Sequence, residues 1–169
     1  MPQSTSPPPH LSNHEKNTAT NHLFCYEIDG THIFIESGIK MEVLEQSIIY
    51  PIPNAPKWFS GVTSLRGDIL PIVNMHFLLN AKQNSKTKRL LKLKHPDFTS
   101  LVIGIDGLPH QNNTDNLQPS NNPNKTQYPE WITSTSTYNN HIFLFANHAT
   151  LFSAIQNNST TTQSTGDNQ

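Results

Sequence analysis

Cysteine is the scarcest useful residue in this sequence. A single one, Cys25, among 169 residues rules out an intrachain disulfide scaffold and points to a reducing compartment. Charge is scarce too: charged residues make up 14% and hydrophobic residues 34%, against about 25% and about 45–50% in ordinary domains. A net charge of −1 leaves no basic excess and disfavours a strong nucleic-acid binder. No apolar run approaches the roughly 20 residues that span a bilayer. The first residues carry no apolar core of a secretory signal, so a cytoplasmic protein is expected. No HExxH, paired CxxC, GxSxG, GxxxxGK[ST] or GxGxxG occurs, which leaves zinc-protease, serine-hydrolase and nucleotide chemistry without a motif.

In place of charge and apolar bulk the chain carries Asn, Ser, Thr and Gln, 60 residues together. They concentrate in three stretches. Residues 1–21 hold Pro7-Pro8-Pro9 and one aliphatic anchor, Leu11; residues 157–169 hold none. Neither buries enough apolar surface to offset the entropy of ordering, so both are expected to be disordered tails. Residues 109–130 read as a long Asn-rich loop. What remains, within 22–156, has an ordinary apolar content and is expected to be one domain.

That domain reads as strands. Leu23–Glu27 and His32–Glu36 flank Asp29-Gly30, and Val62–Arg66 and Ile69–Val73 flank Gly67-Asp68. Both are two-residue hairpin signals. Leu90–Lys94 and Thr99–Asp106 form a third pair. Met41–Leu44 and Ile48–Tyr50 read as a strand or strand pair. Pro56 is expected to open a helical turn over Pro56–Ser60, ended by Gly61 in a left-handed conformation. Pro71 inside a strand predicts an edge or a bulge. Trp131-Ile132 and Ile142–Ala146 are later strands, and Ala149–Ile155 alone reads as helix. Many short strands with frequent Gly and Pro turns mean an all-β barrel or sandwich.

Candidate chemistry is sparse. Nine histidines are scattered without metal-ligand spacing, so no metal site is expected. Cys25 sits between Phe24 and Tyr26 and reads as a packed thiol rather than a nucleophile. The segment Lys82–Lys94 holds six of the eleven basic residues and reads as a solvated loop and strand face. Arg66 stands at the end of an apolar strand beside a glycine turn, a place suited to directed hydrogen bonds or an interface anchor.

The segment Pro53–Leu79 resembles the signature of the CheW-like domain, shared by chemotaxis coupling proteins and the regulatory domain of CheA-type kinases. The matching pieces are Pro53-Asn54-Ala55-Pro56, Gly61-Val62, Leu65-Arg66-Gly67, Ile69, Pro71-Ile72-Val73 and Leu78. Leu23–Val43 resembles the family's first strands, Ser100–Gly107 a later strand, and His141–Ile155 the closing strand and helix. Trp58 and Ile69-Leu70-Pro71 are similar to the PilI type, the CheW-like adaptors of type IV pilus twitching systems. Ser64 and Asn74 depart from the family, which commonly has Asn and Asp there, and Trp131–Asn140 matches poorly.

The resemblance implies two intertwined five-stranded SH3-like β-barrels with a short C-terminal helix, no catalysis and no cofactor. It implies a cytoplasmic adaptor at membrane-associated arrays, tying a methyl-accepting chemoreceptor tip to the regulatory domain of a CheA-type histidine kinase. It places Gly61, Val62 and Arg66 at the receptor surface, in a groove between the barrels, and Glu42, Leu44 and Ile48 at the kinase surface, on the first barrel. Two other readings stand beside it. One is a ligand-binding β-barrel for oligonucleotide or sugar, using Trp58 or the lysine run. The other is a hydrolase using Cys25 or a histidine.

Overall fold

The computed structural model describes residues 21–45, 47–81, 89–120 and 127–161. Among the described residues, eleven strands and two helices follow in the order β1 (His22–Ile28), β2 (Thr31–Phe34), β3 (Lys40–Leu44), β4 (Phe59–Leu65), β5 (Asp68–Val73), α1 (Met75–Leu78), β6 (Arg89–Lys94), β7 (Leu101–Ile105), β8 (His110–Asn113), β9 (Gln118–Pro119), β10 (Ile132–Tyr138), β11 (His141–Ala146) and α2 (His148–Thr161). They form a six-stranded sheet in the order β8-β1-β2-β11-β10-β9 and a five-stranded sheet in the order β3-β6-β7-β5-β4. The middle of the chain builds the second sheet whole, and both ends build the first. The two units are intertwined for that reason, as expected, but the strand count is six and five rather than five and five.

Both sheets curl. Laid flat, six strands at about 4.8 Å spacing would set β8 and β9 about 24 Å apart. The connection 114–117 reaches at most about 18 Å between their facing ends, so the edges must approach. Inside this barrel lie Cys25, Phe34 and Phe143, with Leu23, Leu117 and Phe145 against them. The five-stranded sheet wraps a second small core of Leu44, Leu70, Ile72, Leu90 and Val102. Between the barrels lies the main core. Tyr26, Ile28 and Ile33 come from one sheet, and Leu91, Leu93 and Ile103 from the other. β7 is buried along its whole length because its alternate side chains serve the main core and the second barrel. α2 closes the main core with Leu151, Phe152 and Ile155. Asn147 caps this helix through its Oδ1, which accepts from Thr150 N at 2.9 Å, and a Glu36 carboxylate oxygen accepts from His148 N. Negative charge at a helix N-terminus is favourable.

Three hairpins turn on two residues with positive φ: Asp29-Gly30 at 49° and 75°, Arg66-Gly67 at 54° and 91°, and Asn139-Asn140 at 48° and 63°. Two successive positive φ values make a type I′ turn, whose twist matches that of the strands. The first was expected. The second is displaced by one residue from Gly67-Asp68, because Asp68 pairs with Leu65 and closes the ladder. The third falls in the stretch that matched the family poorly.

Other expectations are corrected. Pro56–Ser60 is a turn, closed by Phe59 N donating to Pro56 O at 2.9 Å, and β4 begins at Phe59. Gly61 therefore lies within a strand and ends no helix. Ile48 and Ile49 are not in a strand; only Tyr50 bridges, to Val62. β5 is an interior strand rather than an edge; the alternative of a bulge fits better, since the register with β4 shifts between Phe59 and Gly61, one pair from Pro71. β5 tolerates Pro71 because Pro71 faces Val62, whose N–H and carbonyl are directed away to Tyr50. In such a pair the Pro71 nitrogen is turned away from β4 toward β7, and the ladder to β7 begins only at Ile72↔Val102, so no ladder bond needs a Pro71 N–H. The 109–130 loop contains β8 and β9. β8 pairs with β1 from His22↔Asn113 to Cys25↔His110, and an edge strand can be polar because its ladder is made by backbone alone. α2 runs to Thr161, into the expected tail. Residues 1–20 and 162–169, and the lysines Lys82, Lys86 and Lys88, lie outside the described residues. Among the described residues, no helix is long and apolar enough to cross a membrane.

Candidate functional site

The β4–β5 hairpin turns its two faces to different solvents. Thr63, Leu70 and Ile72 are buried, and Leu70 and Ile72 point into the second barrel core. The alternate residues, Val62, Ser64, Ile69 and Pro71, lie on the outer face. Ile69 is 74% exposed, which is unusual for an isoleucine at mid-strand. Tyr50 lies beside Val62, exchanging hydrogen bonds of 2.8 and 2.9 Å with it, and Val62 stands opposite Pro71. Ile48, Ile49, Tyr50 and Ile52 are all exposed, Ile48 by 67%. Exposed apolar residues thus concentrate on this hairpin and in the 48–52 segment that Tyr50 ties to it, and exposed apolar surface marks interaction sites. A cleft of about 350 Å³ adjoins it, lined by Ile52, Pro53, Asn54, Ala55, Pro56, Trp58 and Phe59.

Gly61 is the pivot of this face. Its φ is 129°, and a Cβ there would stand 2.3 Å from Tyr50 O and 3.1 Å from Pro51 Cα. The close backbone approach that a glycine permits is taken here by the chain itself. The glycine exists to seat the Tyr50-Pro51 segment.

Arg66, on the turn, reaches across to β3. Its Nη2 donates to Glu42 Oε1 at 2.6 Å and its Nη1 to Oε2 at 3.4 Å. Glu42 also stands opposite Lys92 on β6. Two positions read as parts of separate surfaces are therefore in contact. Leu44 is buried in the second barrel core at 6% exposure, so it offers nothing to a partner directly and supports β3 from beneath. Of the six residues singled out in the sequence, Val62, Arg66, Glu42 and Ile48 are accessible, and all six belong to the second barrel or its 45–58 connection; the kinase-face residues expected on the first barrel are therefore on the second, because β3 pairs with β6. Ile69 and Tyr50 were missed; the alternation Ile69 exposed, Leu70 buried, was their only signal. Trp58 packs against the main core rather than standing free as a stacking platform. Asn74 caps α1, its Oδ1 accepting from Phe77 N at 3.1 Å, a role Asn and Asp fill equally. That departure from the family leaves the cap intact.

One buried pair and one half-buried pair brace the frame. His76 Nε2 lies 3.0 Å from both carboxylate oxygens of Asp106, and Asp106 also accepts from Asp29 N at 2.6 Å. The His148 ring meets Glu36 at 3.3 Å. Burial holds the His148 pKa below its ordinary value, against the pull of Glu36. In the first barrel, burial pushes the Cys25 thiol up and His32 down. These two and His110 lie together, although the sequence scatters them.

The family model of the CheW-like domain matches residues 23–156. The chain belongs to the CheW-like family. A curated family-related sequence, Protein FrzA of Myxococcus xanthus, is 31% identical over 85 residues, 50% of this chain and 48% of that protein; the chain thus matches about half of its length. Among solved structures, the scaffolding protein TtCheW from Thermoanaerobacter tengcongensis superposes with a TM-score of 0.58 at 14% identity, over 75% of this chain and 88% of that one. At that identity the likeness speaks for the CheW-like fold, which agrees with the two barrels described above.

Proposed function

We propose that the protein is a non-catalytic adaptor that couples a methyl-accepting chemoreceptor to a CheA-type histidine kinase. The observation that carries this reading is the exposed apolar face of β4–β5, on a domain whose family assignment spans 23–156. A receptor tip is a helical hairpin, and helices dock by laying apolar side chains along such a face. Val62 and Arg66 serve the receptor contact, with Gly61 shaping the surface beneath them. Glu42 and Ile48 serve the kinase contact, with Leu44 holding β3 in place. The Arg66–Glu42 bond makes the two contacts neighbours, which suits a protein whose task is coupling.

The test is co-elution of the full chain with the kinase regulatory domain of the same genome. Wild type binds; Glu42→Ala and Ile48→Asp bind weakly while keeping the β-rich circular dichroism. Equal binding by all three would remove the kinase assignment. Type IV pilus twitching is the proposed output, supported by the likeness of Trp58 and Ile69-Leu70-Pro71 to PilI-type adaptors. Deleting the gene should abolish twitching and spare swimming. Intact twitching would leave the adaptor reading but reject this output.

A further inference from the structure

Three side chains in the mouth of the first barrel have the chemistry of a metal site. Cys25 lies on β1, His32 on β2 and His110 on β8. One ligand atom from each lies within 4.8 Å of the other two. The strand registers explain the meeting: Cys25 pairs directly with His110, and His32 with Glu27, two residues from Cys25 on the same face. The separation of Cys25 Sγ from His110 Nε2 is 3.6 Å. With zinc–sulfur near about 2.3 Å and zinc–nitrogen about 2.0–2.1 Å, a tetrahedral angle sets sulfur and nitrogen about 3.6 Å apart.

Independent observations point the same way. His110 Nδ1 faces Leu108 O at 3.3 Å. A carbonyl only accepts, so Nδ1 carries the proton and Nε2 presents its lone pair toward Cys25. Donation of the second ring nitrogen to a backbone carbonyl is the arrangement that orients metal-binding histidines. Among the described residues His32 Nδ1 is buried with no hydrogen-bond partner, so one ring nitrogen of this cluster member is unsatisfied. Asn112 Nδ2 donates to Cys25 Sγ at 3.2 Å, a bond that opposes, without cancelling, the burial that pushes the thiol up. Cys25 is fully buried while His110 is exposed, so an ion has an entry path. A ring contact sets His141 5.5 Å from His32, on the same side.

We infer that Cys25, His32 and His110 bind a borderline-soft divalent cation, zinc by the mixture of one sulfur and two nitrogens, with water in the fourth position. On binding, the Cys25 thiol releases its proton to solvent and a sulfur–metal bond forms. The ion joins β1 and β2 to β8, the polar edge strand that returns to this barrel after the second one is complete. It would clamp that edge where apolar packing is thin.

Cobalt(II) added to the chelator-treated full chain tests the site, because a thiolate ligand produces a near-ultraviolet charge-transfer band and tetrahedral geometry gives intense visible bands. One equivalent is expected to bind with both signals, and zinc is expected to displace it and raise Tm. His110→Gln, at an exposed position, should weaken cobalt binding at least tenfold; Cys25→Ser should remove the charge-transfer band. If Cys25→Ser does not fold, His110→Gln decides. Weak visible bands without charge transfer, or unchanged binding by His110→Gln, would mean that Cys25 and His110 only share a thiol–imidazole hydrogen bond, and would overturn the site.

Discussion

Arg66 and Glu42 join the two edges of one sheet. β3 and β4 stand at opposite ends of the order β3-β6-β7-β5-β4, about 19 Å apart were the sheet flat. The turn after β4 nonetheless places the Arg66 guanidinium on the Glu42 carboxylate at 2.6 Å. Beneath them Leu44 of β3 meets Leu70 and Ile72 of β5 in a shared core. The apolar core curls the sheet, and the ion pair marks where it closes.

Because this pair is exposed, it should contribute little to stability. Arg66→Ala is expected to cost about 0.2–1 kcal/mol, a fall in Tm of no more than a few degrees, while weakening assembly with the receptor. A double-mutant cycle with Glu42→Ala would measure their coupling. A large Tm loss would show that the pair holds the barrel shut; normal array assembly in Arg66→Ala would refute its docking role.

Leu44 and Ile48 should separate cleanly. Leu44→Ala removes a buried side chain and should cost about 2–5 kcal/mol. Ile48→Ala removes an exposed one and should stay within about 0.5 kcal/mol yet reduce kinase binding. Urea midpoints and co-elution of both variants check the pair of claims.

Gly61→Ala should be among the most damaging single-methyl changes in the chain. The new Cβ meets backbone, Tyr50 O at 2.3 Å, at a φ of 129°, and neither side can rotate away. A loss of about 3 kcal/mol or more is expected. Gly30→Ala, at φ 75° with nothing within 4 Å, should cost only about 1–2 kcal/mol. Equal denaturation midpoints for the two would show that the Tyr50-Pro51 segment is free to move.

Acid should destabilise the fold through His148. Its ring is buried, its Nε2 has no partner among the described residues, and its pKa is lowered from 6.5. As pH falls below about 6.5 the unfolded chain takes up the proton first, so stability falls with pH. Tm should drop between pH 7.5 and 5.5 (test conditions on either side of the ordinary histidine value). His148→Phe, which keeps a ring without titration, should reduce that slope, leaving the part carried by His32, whose pKa burial also lowers. An unchanged slope would assign the acid sensitivity elsewhere.

Much of the frame was legible in one dimension. Asp29-Gly30 announced its hairpin because only a few residues accept two positive φ values, and the apolar spacing of Leu151, Phe152 and Ile155 announced α2. Short apolar runs bounded by turn residues marked β5, β6 and β7. β8 and β9 were not legible, because edge pairing by backbone leaves no side-chain signature in HQNN or QP. The displaced turn at Arg66-Gly67 was equally hidden: a one-residue shift depends on which residue faces Leu65, and that is settled by the opposite strand.

The sequence by itself determined the all-β character, the hairpins and the family, since these rest on local propensity and on a contiguous motif. Only the tertiary structure decided which of the chosen residues can touch a partner. Leu44 and Ile48 look alike in sequence, but sheet curvature buries one and leaves the other in solvent. Curvature and return of the chain likewise bring Arg66 to Glu42 across 24 positions and His110 to Cys25 across 85. Such contacts depend on register between distant strands, which no local pattern encodes.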